Sequence, residues 1–243
     1  MPASGRLPPL RDAFRTEEQK RTYVRHLFAT IADRYDLITI LLSYGRDSRW
    51  KNGLVALSGA ARGTRALDLA CGTGDIAHRL AARGARTFGL DVTHRMLQLA
   101  GGRKRDGDPV AFVTGDMMAL PFPDASFDLV TTGYGIRNVP AIEPALAEIA
   151  RVLAPGGLFL SLDFNRPSSP VLRSIYLAYL TVVGSALGLA LHRNPDTYRY
   201  IPESIRRYPG APRVCEIARE QGFSRCDWMP VLGGLMAIHT GRK

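Results

Sequence analysis

From residue 66 onward the chain alternates short apolar runs with longer amphipathic stretches, and no other feature constrains its fold as strongly. Runs at 66–70, 86–90, 110–113, 127–130 and 158–162 read as strands. Helical patterns lie between them, one reaching Leu80 and others over 93–100 and 142–153, the last ended by Ala154-Pro155-Gly156-Gly157. Strands separated by helices of this length pair in parallel and need cover on both faces. The spacing therefore predicts an α/β chain. After Asn165-Arg166-Pro167 comes a long apolar insertion, about 166–208, then a helix near 213–221 and two closing strands near 223–228 and 235–239. Ahead of the sheet, 14–33 and 38–57 read as helices, so 1–58 is expected to form an N-terminal helical extension or lid on a domain of 59–243. No internal repeat or long linker divides the chain further.

Composition narrows the class. With 46% hydrophobic and 22% charged residues the chain is neither disordered nor low in complexity. Its net charge of +10 favours an anionic partner without naming it. Three cysteines, Cys71, Cys215 and Cys226, lie far apart in sequence, which argues against a disulfide framework or structural zinc and for a reducing cytoplasm; no metal site is expected. Residues 1–20 are polar, without the apolar core of a secretory signal. The uncharged run 174–191 reaches the lower length limit of a membrane span. Glycines, hydroxyl residues and two tyrosines interrupt it, and strands of one sheet on either side would be stranded across a membrane. A buried or interfacial helix pair is the expectation.

Gly72-x-Gly74 falls between the first strand and its helix, where backbone must approach a ligand closely. With Ala77 it also fits the dinucleotide fingerprint, and Asp91 ends the next strand where an acid can accept both ribose hydroxyls. NAD and S-adenosylmethionine share that ribose. Three features separate them. Asp68 sits inside the first strand, a costly place for a charge unless donors meet it. Gly115-Asp116-Met117 follows the third strand, offering a carboxylate to an adenine amino group and a soft side chain to the ring face. The chain then ends in a helix and two strands rather than a second mononucleotide half.

Together these residues resemble class I S-adenosylmethionine-dependent methyltransferases. Further segments are similar to the quinone C-methyltransferases of ubiquinone and menaquinone biosynthesis, the UbiE/MenG/Coq5 family. They are Phe28-x-x-Ile31-Ala32-x-x-Tyr35-Asp36, Ser43-x-Gly45 through Trp50-Lys51, and Leu67 through Asp75. Leu120-Pro121-Phe122, Tyr134-Gly135-Ile136-Arg137-Asn138-Val139, Arg151-Val152-Leu153-x-Pro155-Gly156-Gly157, Tyr198-x-Tyr200-Ile201-Pro202-Glu203-Ser204-Ile205 and Gly233-Gly234 complete the set. The resemblance runs from about residue 22 to the end. It implies a Rossmann-like seven-stranded sheet with a helical insertion before the last two strands, and S-adenosyl-L-methionine held by Asp68, Gly72, Thr73, Gly74, Asp91, Asp116, Met117 and Gly133. It implies C-methylation of a reduced polyprenyl quinone precursor: demethylmenaquinol, the benzoquinol of ubiquinone synthesis, or both. Departures lie on the acceptor side: Ile38-Thr39 replaces the usual Met-Asn, Asp47-Ser48-Arg49 stands where a His-Arg pair commonly precedes the Trp, and Gly133 replaces a frequent Ser.

Such chemistry asks the protein to polarise a phenolic hydroxyl and then remove a ring proton. Arg137 is expected to stabilise the developing phenolate and Asn138 to orient the ring, with Tyr35 and Asp36 closing the pocket and the proton leaving through water. Pairing of Arg137 with Asp36 or Glu143, and a core role for Tyr35, stay open. Tyr134, Tyr176 and Tyr200 join Asp36 as acceptor contacts, and Tyr176, Leu177, Tyr179 and Leu180 would line an apolar cover for the first prenyl units. Arg103-Lys104-Arg105 and the Arg-rich tail could rest on anionic lipid. The expected place is thus cytoplasmic, peripheral to the inner face of the membrane. A second copy of the chain stands among the candidate partners; nucleic acid does not, because basic-aromatic alternation is missing. Rival readings are a methyltransferase for another small aromatic or lipophilic acceptor, an RNA methyltransferase, a cofactor sensor without turnover and an NAD oxidoreductase.

Overall fold

The apolar runs become the strands of one sheet in a computed structural model that describes residues 9–43, 45–104 and 108–243. Arg105 of the basic run lies outside the described residues. The strands are β1 (Arg65–Leu69), β2 (Arg86–Asp91), β3 (Val110–Thr114), β4 (Phe127–Gly133), β5 (Leu153–Phe164), β6 (Arg225–Val231) and β7 (Met236–Arg242), in the order β3-β2-β1-β4-β5-β7-β6. The first five run parallel, and β7 enters antiparallel between β5 and β6. Near-continuous burial of β1 and of the second half of β5 is the mark of strands covered on both faces. The covering helices are α4 (Asp75–Ala81), α5 (His94–Gly101), α6 (Ile142–Val152) and α9 (Ala211–Glu220). One core cluster joins Leu146, Ile149 and Val214 to Leu67 and Phe159; another joins Leu54, Ile76 and Leu80 to Leu129 and Leu160.

Ahead of the sheet stand α1 (Glu17–Ile31), α2 (Tyr35–Leu42) and α3 (Asp47–Leu57). The helix read over 38–57 is therefore two. Gly45 takes φ +72°, a left-handed turn that most side chains resist, and Ser43 Oγ accepts the Asp47 N–H at 3.2 Å to start the second helix. The fifth strand also begins earlier than expected, because Leu153 already pairs with Phe127 and a register shift absorbs Pro155-Gly156-Gly157.

The insertion forms α7 (Pro170–His192) and α8 (Asp196–Arg207). By length and composition α7 is apolar enough to cross a membrane. Yet β5 before it and β7 after it are hydrogen-bonded neighbours, and α7 packs along α8. The glycines that break its apolar run make that packing. A Cβ on Gly188 would stand 2.5 Å from the Asn194 carbonyl oxygen, and one on Gly184 would stand 3.2 Å from that of Tyr198. Cys215 and Cys226, far apart in the reading above, meet in the core with their sulfurs 2.9 Å apart.

These contacts set opposite signs for two helical glycines. Gly188→Ala forces the α7–α8 seam apart and is expected to destabilise by about 1–3 kcal/mol. Gly53→Ala, at an exposed position of α3 where a Cβ meets nothing within 4 Å, is expected to stabilise by about 0.5–1 kcal/mol. Urea unfolding of both variants checks the pair.

Candidate active site

The sheet order reverses between β1 and β4, so the loops after these strands diverge and leave an open crevice at their carboxyl ends. The loop after β1 carries the glycine motif, with Gly72 at φ +54° and Gly74 at φ +81°. A Cβ on Gly74 would press at 3.0 Å on both Ala100 and His78, so the glycine lets α4 start close against α5. Asp91, at the end of β2, holds this loop: its carboxylate accepts the Gly72 N–H at 2.9 Å and the Thr93 N–H at 2.8 Å. Burial pushes the Asp91 carboxyl up, against those bonds.

A first cavity runs along this edge, lined by Ala70, Gly72, Asp91, Asp116, Met117 and Gly133, with Asn138 beyond them. Asp116 is not free in it. Its Oδ1 accepts the Met118 N–H at 2.9 Å, and its Oδ2 faces Arg21 of α1 at 3.3 Å. Arg21, Val24 and Phe28 roof the cavity from α1. Sequence reasoning missed Arg21 and Val24 as site residues, because helical spacing marks an apolar face but not what it covers. Gly135 was also missed as a site residue: a Cβ there would collide with Thr132 Oγ1 at 2.3 Å and Ala70 at 2.9 Å. The residue set suits a nucleoside: a carboxylate with lone pairs left for hydroxyls, a thioether for a ring face, and a glycine loop open to close approach.

Asp68 lies below a small cleft shared with Lys51, Thr73, Asp75 and Gly133. Thr131 Oγ1 donates to it at 2.8 Å and the Ala77 N–H at 3.1 Å, the donors its buried position demanded. Burial nevertheless dominates and lifts its carboxyl to about 7.

The second cavity, about 310 Å³, is almost wholly apolar. Its walls come from α1, α2, α7 and α8, including Tyr176 and Tyr200, and from Trp50 and Phe164. Tyr200 is buried between Tyr23 and Phe14, each stacked at 5.5 Å, and its hydroxyl has no hydrogen-bond partner among the described residues. Phe28, Tyr35 and Tyr134 border both cavities.

Arg137 is the single charged side chain among the described residues lining this chamber. Its partner is neither Asp36 nor Glu143 but Asp163, fully buried at the end of β5. The Arg137 N–H donates to Asp163 Oδ2 at 3.1 Å, and Nε lies 3.4 Å from Oδ1. The guanidinium also sits 4.8 Å over the Phe164 ring and donates from Nη1 to Asn138 Oδ1 at 3.1 Å. Burial raises the Asp163 carboxyl and Arg137 opposes it. Lys20 stands near enough for burial, then Arg137 and Arg207, to bring its ammonium down to about 8.

Two expected acceptor contacts are placed elsewhere. Asp36 points to the glycine loop, accepting the Thr73 hydroxyl at 2.7 Å and pairing with Arg103, and does not line the chamber. It adjoins Tyr35 on α2, and consecutive helical residues face different ways. Asn138 borders the first cavity and donates to the Tyr134 carbonyl at 2.7 Å, so its amide orients the loop and Arg137 rather than a ring in the chamber. Tyr35 fills the junction; burial raises its phenol, with Lys51 opposing and Asp47 adding to the rise. Lys51 is itself buried, ion-paired to Asp47 at 2.7 Å and Asp75 at 3.1 Å. Burial works to lower it, but Tyr35, Asp47 and Asp75 together carry it above the usual lysine range. Among the described residues no three His, Cys, Asp or Glu side chains gather as a metal site.

The sequence profile of the ubiE/COQ5 methyltransferase family matches residues 15–243. The ubiquinone/menaquinone biosynthesis C-methyltransferase UbiE of Paracoccus denitrificans is 41% identical over 239 residues, 95% of each chain. That of Methylobacterium nodulans is 43% identical over 235 residues, 93% of this chain and 92% of its own. Among solved structures, a chain of the Haloferax volcanii complex between the Trm112 methyltransferase activator and a methyltransferase superposes with a TM-score of 0.65 at 20% identity. The match covers 88% of this chain and 96% of that one, and shows a shared fold.

Asp68 makes stability depend on pH with a definite sign. An unfolded aspartate titrates near 3.9, whereas the folded one keeps its proton to about 7. The folded state binds that proton more tightly, so the stabilisation is complete below about pH 4 and is lost as pH rises towards 7, at up to about 1.4 kcal/mol per unit. Asp68→Asn is expected to flatten the decline; urea unfolding at pH 5, 6 and 7 measures it, and parallel curves for the two proteins refute it.

Proposed function

The chain belongs to the ubiE/COQ5 methyltransferase family, and on that footing we propose that its apolar chamber takes the ring of a reduced polyprenyl quinone precursor and that Arg137 readies a ring carbon for methylation. As a member it is an S-adenosyl-L-methionine-dependent C-methyltransferase of ubiquinone and menaquinone biosynthesis. The cofactor supplies a methyl group on a positively charged sulfur, whose departure needs no acid. Asp91, Gly72, Asp116 and Met117 are the residues that would hold its nucleoside, with Asp68, Thr73, Gly74 and Gly133 around its amino-acid end.

One observation carries the acceptor reading: among the described residues a single guanidinium faces a chamber that is otherwise uncharged and largely apolar. A quinol is nucleophilic at carbon once a ring hydroxyl loses its proton. A fixed cation in a water-poor cavity stabilises that phenolate far more than water would. A guanidinium serves as a fixed cation and not as a base. Asp163, Asn138 and Phe164 hold Arg137 in place, while Lys20 and Arg207 add positive potential nearby. The apolar walls on α7 and α8 suit the first units of a prenyl tail.

We place the protein at the cytoplasmic face of an anionic membrane. Val171, Ile175, Val182 and Leu189 of α7 are each at least 60% exposed and fall within about 40° on one side of the helix. Leu37, Ile40 and Leu41 of α2 are exposed as well, and Ile175 belongs both to the exposed row and to the chamber wall. Arg166 and Arg173 at one end of α7 and Arg193 at the other suit lipid phosphates, in keeping with the net charge of +10.

Incubation with methyl-labelled S-adenosyl-L-methionine and matched reduced and oxidised demethylquinones is expected to label ring carbon in the reduced compounds alone; transfer only to oxygen, nitrogen or unrelated acceptors overturns the reading. Arg137→Lys is expected to lower kcat on the labelled quinol roughly 10²–10³-fold, with quinol affinity, followed by Trp50 fluorescence, little changed. Flotation with vesicles containing phosphatidylglycerol tests the membrane placement. The wild type should float at low salt and Val182→Asp should not, while turnover of a short-chain quinol stays the same in both.

A further inference from the structure

The reaction must also discard the ring proton displaced by the methyl group, and neither Arg137 nor the apolar walls can take it. Resting on the quinol reading above, we propose that the Tyr134 hydroxyl accepts this proton while handing its own to Asp47. Tyr134 stands where the chamber, the nucleoside cavity and the small cleft beside Asp68 all meet. A carbon in the chamber and a methyl group in the cofactor cavity can come together only at that junction. Its backbone is held in a left-handed conformation, φ +62°, unusual for an aromatic residue and pinned by the Leu162 carbonyl at 2.7 Å and by Asn138. That strain serves to aim the ring. Its hydroxyl donates to Asp47 Oδ1 at 2.7 Å, and Asp47 is buried, 6% exposed.

The chain of contacts continues to the surface. Lys51 Nζ lies 2.7 Å from Asp47 and 3.1 Å from Asp75, whose side chain is a third exposed and pairs with Arg79. The step balances as follows. After transfer the ring carbon bears both the new methyl and its old hydrogen. The C–H bond breaks, its electron pair restores the aromatic ring, and the proton goes to a lone pair of the Tyr134 oxygen. The original Tyr134 proton passes to Asp47. Lys51 then takes a proton from Asp47 as it gives one to Asp75, keeping its own charge. Burial, joined by the charge of Asp47, holds the Tyr134 phenol far above its ordinary range, so transfer through it is concerted and no tyrosinate accumulates. The Asp47 carboxylate keeps a proton acceptor at the end of the tyrosine hydroxyl, and Lys51 is the cation that balances it.

The test uses the full-length enzyme with S-adenosyl-L-methionine and a quinol bearing deuterium at the methylated carbon. Wild-type turnover is expected to be nearly insensitive to the deuterium. Tyr134→Phe keeps the ring packed on Phe164 and removes only the hydroxyl. It is expected to lower kcat on the order of 10²-fold, to make breakage of the C–D bond visibly slower than that of C–H, and to leave the quinol dissociation constant, read from Trp50 fluorescence, within about threefold. Asp47→Asn should reproduce the isotope effect, and Asp47→Glu should recover part of the rate. A lower kcat with no isotope effect in Tyr134→Phe, or unchanged kcat, overturns the relay while leaving the quinol reading intact. Failure of the wild type to methylate any quinol overturns both.

Discussion

The reversal of strand order between β1 and β4 is the constraint from which the rest follows. Crossovers from β1 run to one side and those from β4 to the other, so no helix of the sheet's own layers covers the ends of these two strands. Backbone N–H groups of the glycine loop, the carboxylates of Asp68 and Asp91, and the loop carrying Tyr134 to Asn138 all emerge into that one crevice. The crevice by itself is open to water. Helices outside the sheet close it, α1 to α3 from the N-terminus and α7 with α8 from the insertion, and division of the space beneath them into a nucleoside side and an apolar side follows from where Phe28, Tyr35 and Tyr134 stand.

Closure of this kind buries charge, and the structure meets the penalty with pairs and donors. Asp163 is fully buried and faces Arg137; Lys51 is held between Asp47 and Asp75; Asp68 and Asp91 each take two protein donors. Buried pairs are weak devices for stability, because desolvation offsets much of their attraction. Their value here is positional. Arg137 cannot swing away from the chamber without depriving Asp163 of its cation, and Lys51 cannot leave without doing the same to Asp47. Burial also shifts the carboxyls of Asp68, Asp91 and Asp163 upward together. A cationic ligand arriving beside Asp68 therefore meets a group ready to ionise rather than a fixed charge.

The seven strands, the glycine loop and the acids at β1, β2 and after β3 were legible because each rests on a local pattern: period, a Gly pair, an acid at a strand end. The insertion was legible as apolar, and the resemblance reached the Tyr134–Asn138 segment. What escaped was pairing at long range. Asp163 lies 26 residues from Arg137 in sequence, just past the apolar run 158–162. Asp47 drew notice as a departure, yet its bond to Tyr134 spans 87 residues and no spacing announces it. Asp36 was misplaced for a different reason: proximity in sequence to Tyr35 suggested a shared role, and the helix turned the two side chains to different sites. Gly184 and Gly188 were read as interruptions of a hydrophobic run, whereas they are the seam on which α7 and α8 close.

A doubly wound sheet with this crevice can serve many reactions, so chemistry has to be read from what the added helices bring. The glycine loop and Asp91 would look the same whether the acceptor were polar or greasy. On the proposed acceptor reading, discrimination resides in α7 and α8, whose inner faces are tyrosine and aliphatic, while an outer row of α7 stays bare. A helix with one apolar side turned to a chamber and another turned outward is poorly suited to water. It is well suited to a border between protein and lipid, where an acceptor already dissolved in the bilayer can slide its ring past Ile175 towards Arg137 without crossing the aqueous phase. If the proposed membrane placement holds, the entrance is a property of the insertion rather than of the sheet, and loss of the outer apolar row should leave the chemistry intact while removing the supply of substrate.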